Sequence, residues 1–135
     1  MRSLVLAAIV AAIAVPGLAQ ALTLKGLAFG DVQEIRPAEF AALPHVTLKV
    51  AIHGKDLRDV VLVTGQDGYQ VAYSLGEIDP GTAQGQVLVA DRADGAPLDA
   101  HAGPFQIVVQ NDARPARDAR MVARIELIRL GAPPK

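Results

Sequence analysis

From Val46 to Ile52 the chain reads VTLKVAI, with Val46, Leu48, Val50 and Ile52 on one parity and Thr47 and Lys49 on the other. Side chains alternate across a β-strand, so this spacing predicts a strand with one buried and one solvated face. The same grammar recurs along the chain. Asp59–Val63 (DVVLV) is a β-branched run of the kind buried on both faces, and Tyr69, Val71 and Tyr73 share one side of the next segment. Asp67-Gly68 between them is a hairpin signal. Gln86–Ala90 and Phe105–Val109 predict two further strands, separated by a polar turn ending at Gly95, the short segment APLD, and Gly103-Pro104. In the closing segment RMVARIELI, Met121, Ala123, Ile125 and Leu127 fall on one parity and Arg120, Arg124 and Glu126 on the other, which predicts a half-solvated strand.

Helical signals are few. Pro37 suits a first helical position with Glu39 in the first turn, and the Leu43-Pro44 step stops that helix at about Leu43. Ser74 followed three residues later by Glu77 is a capping box, in which each residue satisfies a backbone N–H of the other's turn. Six or seven short strands with two short helical turns predict an α+β, mostly β domain built on a mixed or antiparallel sheet.

The N-terminus has a different composition. Met1-Arg2-Ser3, the apolar run Leu4–Val15, Pro16-Gly17 and the small residues Ala19–Ala21 follow the layout of a secretory signal peptide. The expected cut follows Ala21. An apolar run of this length falls short of the roughly 20 residues that span a hydrocarbon core, so no membrane anchor is expected after cleavage. Residues 22–135 then form one domain of 114 residues with 12 basic and 14 acidic side chains. A net charge of −2 offers no global attraction for nucleic acid. The chain has no cysteine, which removes disulfides, thiolate metal sites and a thiol nucleophile together. Periplasmic or secreted localisation follows from the signal.

Candidate chemistry is sparse. His45, His53 and His101 stand far apart, with no helical pairing or neighbouring carboxylate cluster to complete a metal site. Ser74 serves as a helix cap, and the carboxylates from Asp67 to Asp79 punctuate turns. The concentrated feature is NDARPARDARMVAR, where Arg114, Arg117, Arg120 and Arg124 crowd eleven residues. Forked guanidinium donors in that density suit a phosphate or carboxylate, so Arg114, Arg117 and Arg120 are the candidate anion site. Asp112 and Asp118 dilute it, and a solvated loop and strand face accounts for the same residues. As surface positions, Arg114 and Arg117 should tolerate alanine at a cost of no more than about 0.5 kcal/mol.

Taken together, DGYQVAYSLGEIDP, VLVADRADGAPLDAHAGPFQIVV and RPARDARMVARIEL resemble the latter half of a sulfite-oxidase-like molybdopterin-binding domain, and more closely the small exported members of that superfamily. The resemblance covers about 65 residues, Val60–Leu127, with an upstream echo in FAALPHVTLKVAIHGK. It implies a reduced form of that fold, a cofactor cleft, and basic residues, here Arg114, Arg117 and Arg120, facing the pterin phosphate. Full enzymes of the family ligate molybdenum through a cysteine just after the first strand, where this chain has AIHGK. The helical segment that relatives carry after that point is missing, because Lys55 runs almost directly into DLRDVVLV. Asp118 stands where relatives carry tryptophan.

The expectation is therefore an exported, non-catalytic binding or accessory domain that holds no cofactor. Its partner would be a periplasmic protein or a small anionic ligand. The alternative is a molybdopterin-dependent oxidoreductase or its cofactor-binding subunit. A third reading is a decayed product whose shortened sheet leaves an open edge prone to strand pairing.

Overall fold

The computed structural model describes residues 21–26, 30–42, 52–79 and 81–131. The predicted signal segment up to residue 20, His45, and the strand predicted from Val46 as far as residue 51 lie outside these residues.

The described chain runs through β1 (Leu22–Gly26), β2 (Gly30–Ile35), α1 (Pro37–Ala42), a 3₁₀ turn at Gly54–Arg58, β3 (Asp59–Gly65), β4 (Gln70–Ser74) and α2 (Leu75–Ile78). It continues through β5 (Val87–Ala90), β6 (Arg92–Ala93), β7 (Ala96–Pro97), β8 (Gln106–Val109), a 3₁₀ turn at Pro115–Arg117, and β9 (Val122–Arg129). The domain is α+β and mostly β, as the alternating runs predict. Five strands form one mixed sheet in the order β2-β1-β9-β3-β4, in which β1 and β9 are parallel and the other neighbours antiparallel. β5 and β8 form a separate antiparallel ribbon, and β6 and β7 a small hairpin.

The sequence reading did not anticipate β1 and β2. Leu22 and Leu24 alternate with Thr23 and Lys25 as clearly as the residues of VTLKVAI do, and both leucines are buried. β1 is short, and it adjoins the predicted cut. Among the described strands β2 stands at the edge of the sheet, held by its pairing with β1, with Ile35 opposite Leu22.

The strongly apolar β3 lies between β9 and β4. Val61 and Val63 face the core, paired with Tyr73 and Val71 of β4, while Val60 and Leu62 are half-buried on the opposite face. β9 departs from simple alternation. Thr64 pairs with Arg124 but Gly65 pairs with Val122, so Ala123 is an extra residue in a β-bulge. The bulge reverses the parity below it: Val122 joins Ile125 and Val63 on the core face and is almost fully buried. Strict alternation had assigned Met121 and Ala123 to that face.

The β5–β8 ribbon supplies the other side of the core. Ile107 is buried, and Val87, Val89 and Val109 pack against the same cluster as Leu22, Leu24, Val63, Tyr73 and Val122. Phe105, at the start of β8, is fully buried and meets Phe40 of α1 edge-on, with ring centroids 5.0 Å apart at 71°. Offset aromatic geometry of this kind favours the pair beyond its buried area. No helix among the described residues is long and apolar enough to cross a membrane.

Candidate functional site

The predicted arginine site is built on the Pro115–Arg117 turn. β4 fixes that turn from below: Tyr69 and Tyr73 lie on the same face of the strand, and their hydroxyls donate to consecutive carbonyls. Tyr69 donates to Ala116 O at 2.6 Å, and Tyr73 donates to Arg117 O. Tyr73 is completely buried, and burial pushes its phenol pKa up to about 12 even though the Arg117 guanidinium opposes the shift.

Arg117 is held on three sides. Asp112 takes it in a two-point fork, Nε to Oδ2 at 2.8 Å and Nη2 to Oδ1 at 2.7 Å. Nη1 donates to Oε1 of Glu77 across 40 residues of sequence. The guanidinium carbon also lies 5.8 Å from the centre of the Tyr73 ring, within cation–π range. Glu77 is placed for this role by its own cap. Its Oε2 accepts from the Ser74 N–H at 2.8 Å and the Ser74 hydroxyl at 3.0 Å, while Ser74 Oγ accepts from the Glu77 N–H at 3.3 Å. The predicted capping box is therefore present, and one oxygen of its glutamate remains to reach the arginine.

These contacts set the charges. The Ser74 N–H, with Arg117 adding to it, holds Glu77 below the usual carboxylate range. The Arg117 fork lowers Asp112 in the same way, and Asp112 and Glu77 keep Arg117 more firmly protonated than an ordinary guanidinium. Asp118 is also engaged, its Oδ1 accepting from the Val109 N–H at 2.9 Å. Asp112 and Asp118, read from sequence as diluting charges, instead fasten the turn to Arg117 and to β8.

The four arginines do not converge. Arg124 lies on the outer face of the large sheet, where it pairs with Glu126 at 3.0 Å. Arg114 and Arg120 are exposed and have no carboxylate partner among the described residues. The expectation that Arg117 is a free surface position does not hold, because its side chain ties α2 to the Asp112 loop.

A second ionic contact was not anticipated. Asp59, 3% exposed at the start of β3, forks Arg129 with both contacts at 2.8 Å, and Asp56 adds a longer contact at 3.5 Å. The Arg129 hydrogen bonds hold the Asp59 carboxyl below its usual range against the opposing effect of burial. Among the described residues no three His, Cys, Asp or Glu side chains cluster to hold a metal ion. An open groove of about 570 Å³ runs between α1 and the Asp91–Pro104 segment, lined in part by Ala38, Ala41, Gln66, Arg92 and Leu98. None of Arg114, Arg117 and Arg120 lines it.

Fold and site together describe a mostly β, α+β domain whose central arginine is bound internally. No family model matches the sequence, and no curated protein matches it.

Proposed function

We propose that this chain is an exported binding or accessory domain of reduced sulfite-oxidase-like architecture, which recognises a partner and performs no chemistry of its own. The observation that carries this reading is the engagement of Arg117. A basic residue that receives a phosphate needs N–H donors turned outward, but three of the five on Arg117 are taken by Asp112 and Glu77. Two carboxylates around one guanidinium, with Asp118 next in sequence, leave this turn without the positive field that draws an anion.

This engagement argues against molybdopterin seated on Arg117 as the resemblance would place it, and a chain without cysteine lacks the thiolate that ligates the metal in full enzymes of the family. Export is supported by the N-terminal pattern and by β1, whose first residue, Leu22, directly follows the predicted cut. N-terminal sequencing of protein recovered outside the cytoplasm should begin at Leu22.

The deciding experiment is expression in a host that makes molybdopterin, followed by pterin fluorescence after oxidation and by metal analysis. Neither pterin nor molybdenum is expected to copurify; stoichiometric cofactor would overturn the reading. One observation favours the alternative of a cofactor-holding subunit, namely that Arg114 and Arg120 are exposed without a carboxylate partner among the described residues. If that alternative holds, replacing both with alanine should abolish pterin recovery.

A further inference from the structure

β1 begins at the predicted cut and is the second of the five strands in the large sheet, with β2 on one side and β9 on the other. Leu22 lies opposite Ile35 of β2, and Thr23 lies opposite both Glu34 of β2 and Arg124 of β9. Leu22 and Leu24 are 2% and 9% exposed, in the same core cluster as Val63, Tyr73 and Val122. Ala21, on the other side of the cut, is itself half-buried. The backbone that follows residue 21 is thus committed to neighbouring strands at both edges, and its leucines are committed to the core.

A peptidase takes its substrate as an extended segment whose backbone pairs with the enzyme as an added strand would. Nicking therefore concentrates where the backbone is exposed and free of other partners. The folded chain offers neither condition at the Ala21–Leu22 bond. Freeing Leu22 and Thr23 means withdrawing β1 from between β2 and β9.

We propose that the folded domain shields its own processing site, so that the signal segment is removed before β1 takes its seat, from a chain that crosses the membrane unfolded. The proposal rests on the export reading above and adds to it the order of events. Sheet topology supplies the delay this order needs. β9 follows every other described strand in the chain yet stands at the centre of the sheet, between β1 and β3. Until it arrives, β1 has β2 as its one described neighbour, and a two-stranded hairpin is marginal alone. Pairing Thr23 with Arg124 closes a loop of about a hundred residues, and such non-local contacts form late because the closure entropy comes first. A chain that crosses unfolded carries no bound group with it, so this domain meets its partner after export.

The test uses the full chain, residues 1–135, refolded in detergent, checked by near-ultraviolet circular dichroism, and incubated with purified signal peptidase while mass spectrometry reads the products. The folded wild type should be cut after Ala21 at least about 100-fold more slowly than the full chain unfolded by Val122→Asp, which sets a charge in the core. A Gly/Ser linker of about ten residues inserted between Ala21 and Leu22 keeps the strands intact but carries the bond after Ala21 clear of the sheet. This folded variant should be cut as fast as the unfolded chain, and it keeps the proposal testable if Val122→Asp still folds. Equal rates for wild type and unfolded chain would overturn the proposal and leave the export reading in place. A folded linker variant as resistant as the wild type would do the same. If the unfolded chain is not cut after Ala21 either, the export reading itself fails, and the proposal with it.

Discussion

A phenol buried as completely as Tyr73 must give its hydroxyl hydrogen to a partner, and Tyr73 gives it to the backbone of Arg117, whose side chain then lies against the same ring. Backbone and side chain of one residue are thereby locked by one tyrosine. Tyr73→Phe removes a buried hydrogen bond and leaves the Arg117 carbonyl with the Ala119 N–H at 2.9 Å as its remaining donor, and should cost about 1–1.5 kcal/mol. Tyr69→Phe removes a similar bond where water can replace it, and should cost less than about 1 kcal/mol. The arginines divide in the same way. Arg114→Ala should stay within about 0.5 kcal/mol of wild type, as surface substitutions do. Arg117→Ala removes an ion-pair network as well as aliphatic packing, and should cost about 1–2 kcal/mol after allowance for its partial exposure. Chemical denaturation of the four variants checks this order; equal losses for Arg114 and Arg117 would refute an Arg117-centred knot.

At the scale of elements, the bulge in β9 determines which residues reach the core, and Gly65 is what admits it. A Cβ on Gly65 would lie 2.8 Å from the carbonyl oxygen of Arg120, a backbone atom that cannot move aside as a side chain could. Gly65→Ala should therefore destabilise the fold by about 1–3 kcal/mol through overpacking. Gly68→Ala faces open space but must hold φ at +84°, and should cost about 1 kcal/mol. A neutral Gly65→Ala would show that the bulge can slide. The bulge also marks the limit of what was legible in the sequence. β3, β4, β5, β8 and the existence of β9 follow from β-branched runs, period-two patterns and turn residues, and the capping box follows from a three-residue spacing. The extra residue at Ala123 is a backbone event, accompanied by positive φ at Met121, and alternation alone cannot register it. The Arg117 knot was hidden for a related reason. Its contacts join positions 5 and 40 residues apart, so a local reading takes Asp112 for a diluting charge and Glu77 for a helix cap, not for the partners of one arginine.

For the whole molecule, these ionic contacts set the pH range over which the fold is most stable. Asp59, Glu77 and Asp112 all titrate lower in the folded chain than in the unfolded one. Below their folded pKa values both states carry the protons and the advantage is gone. Above the unfolded values, about 4 for these side chains, it is fully present. Tyr73 works in the opposite direction: its folded pKa of about 12 lies above the ordinary phenol value, so its contribution is complete below about pH 10 and is lost as pH rises toward the folded value. Melting temperature plotted against pH should thus hold a plateau from about pH 5 to about pH 10 and fall on both sides. The two limbs have separate owners, which makes them separable by substitution. Replacing Glu77 with Gln and Asp112 with Asn together should lower the plateau and flatten the acid limb, because the groups that gain protons there are gone. The alkaline limb should then persist, and in Tyr69→Phe, where Tyr73 is the one remaining tyrosine, the rise in tyrosinate absorbance should coincide with it. An acid limb of unchanged slope in the double variant would mean that the knot around Arg117 contributes nothing to the pH dependence, and that Asp59 or other carboxylates govern it.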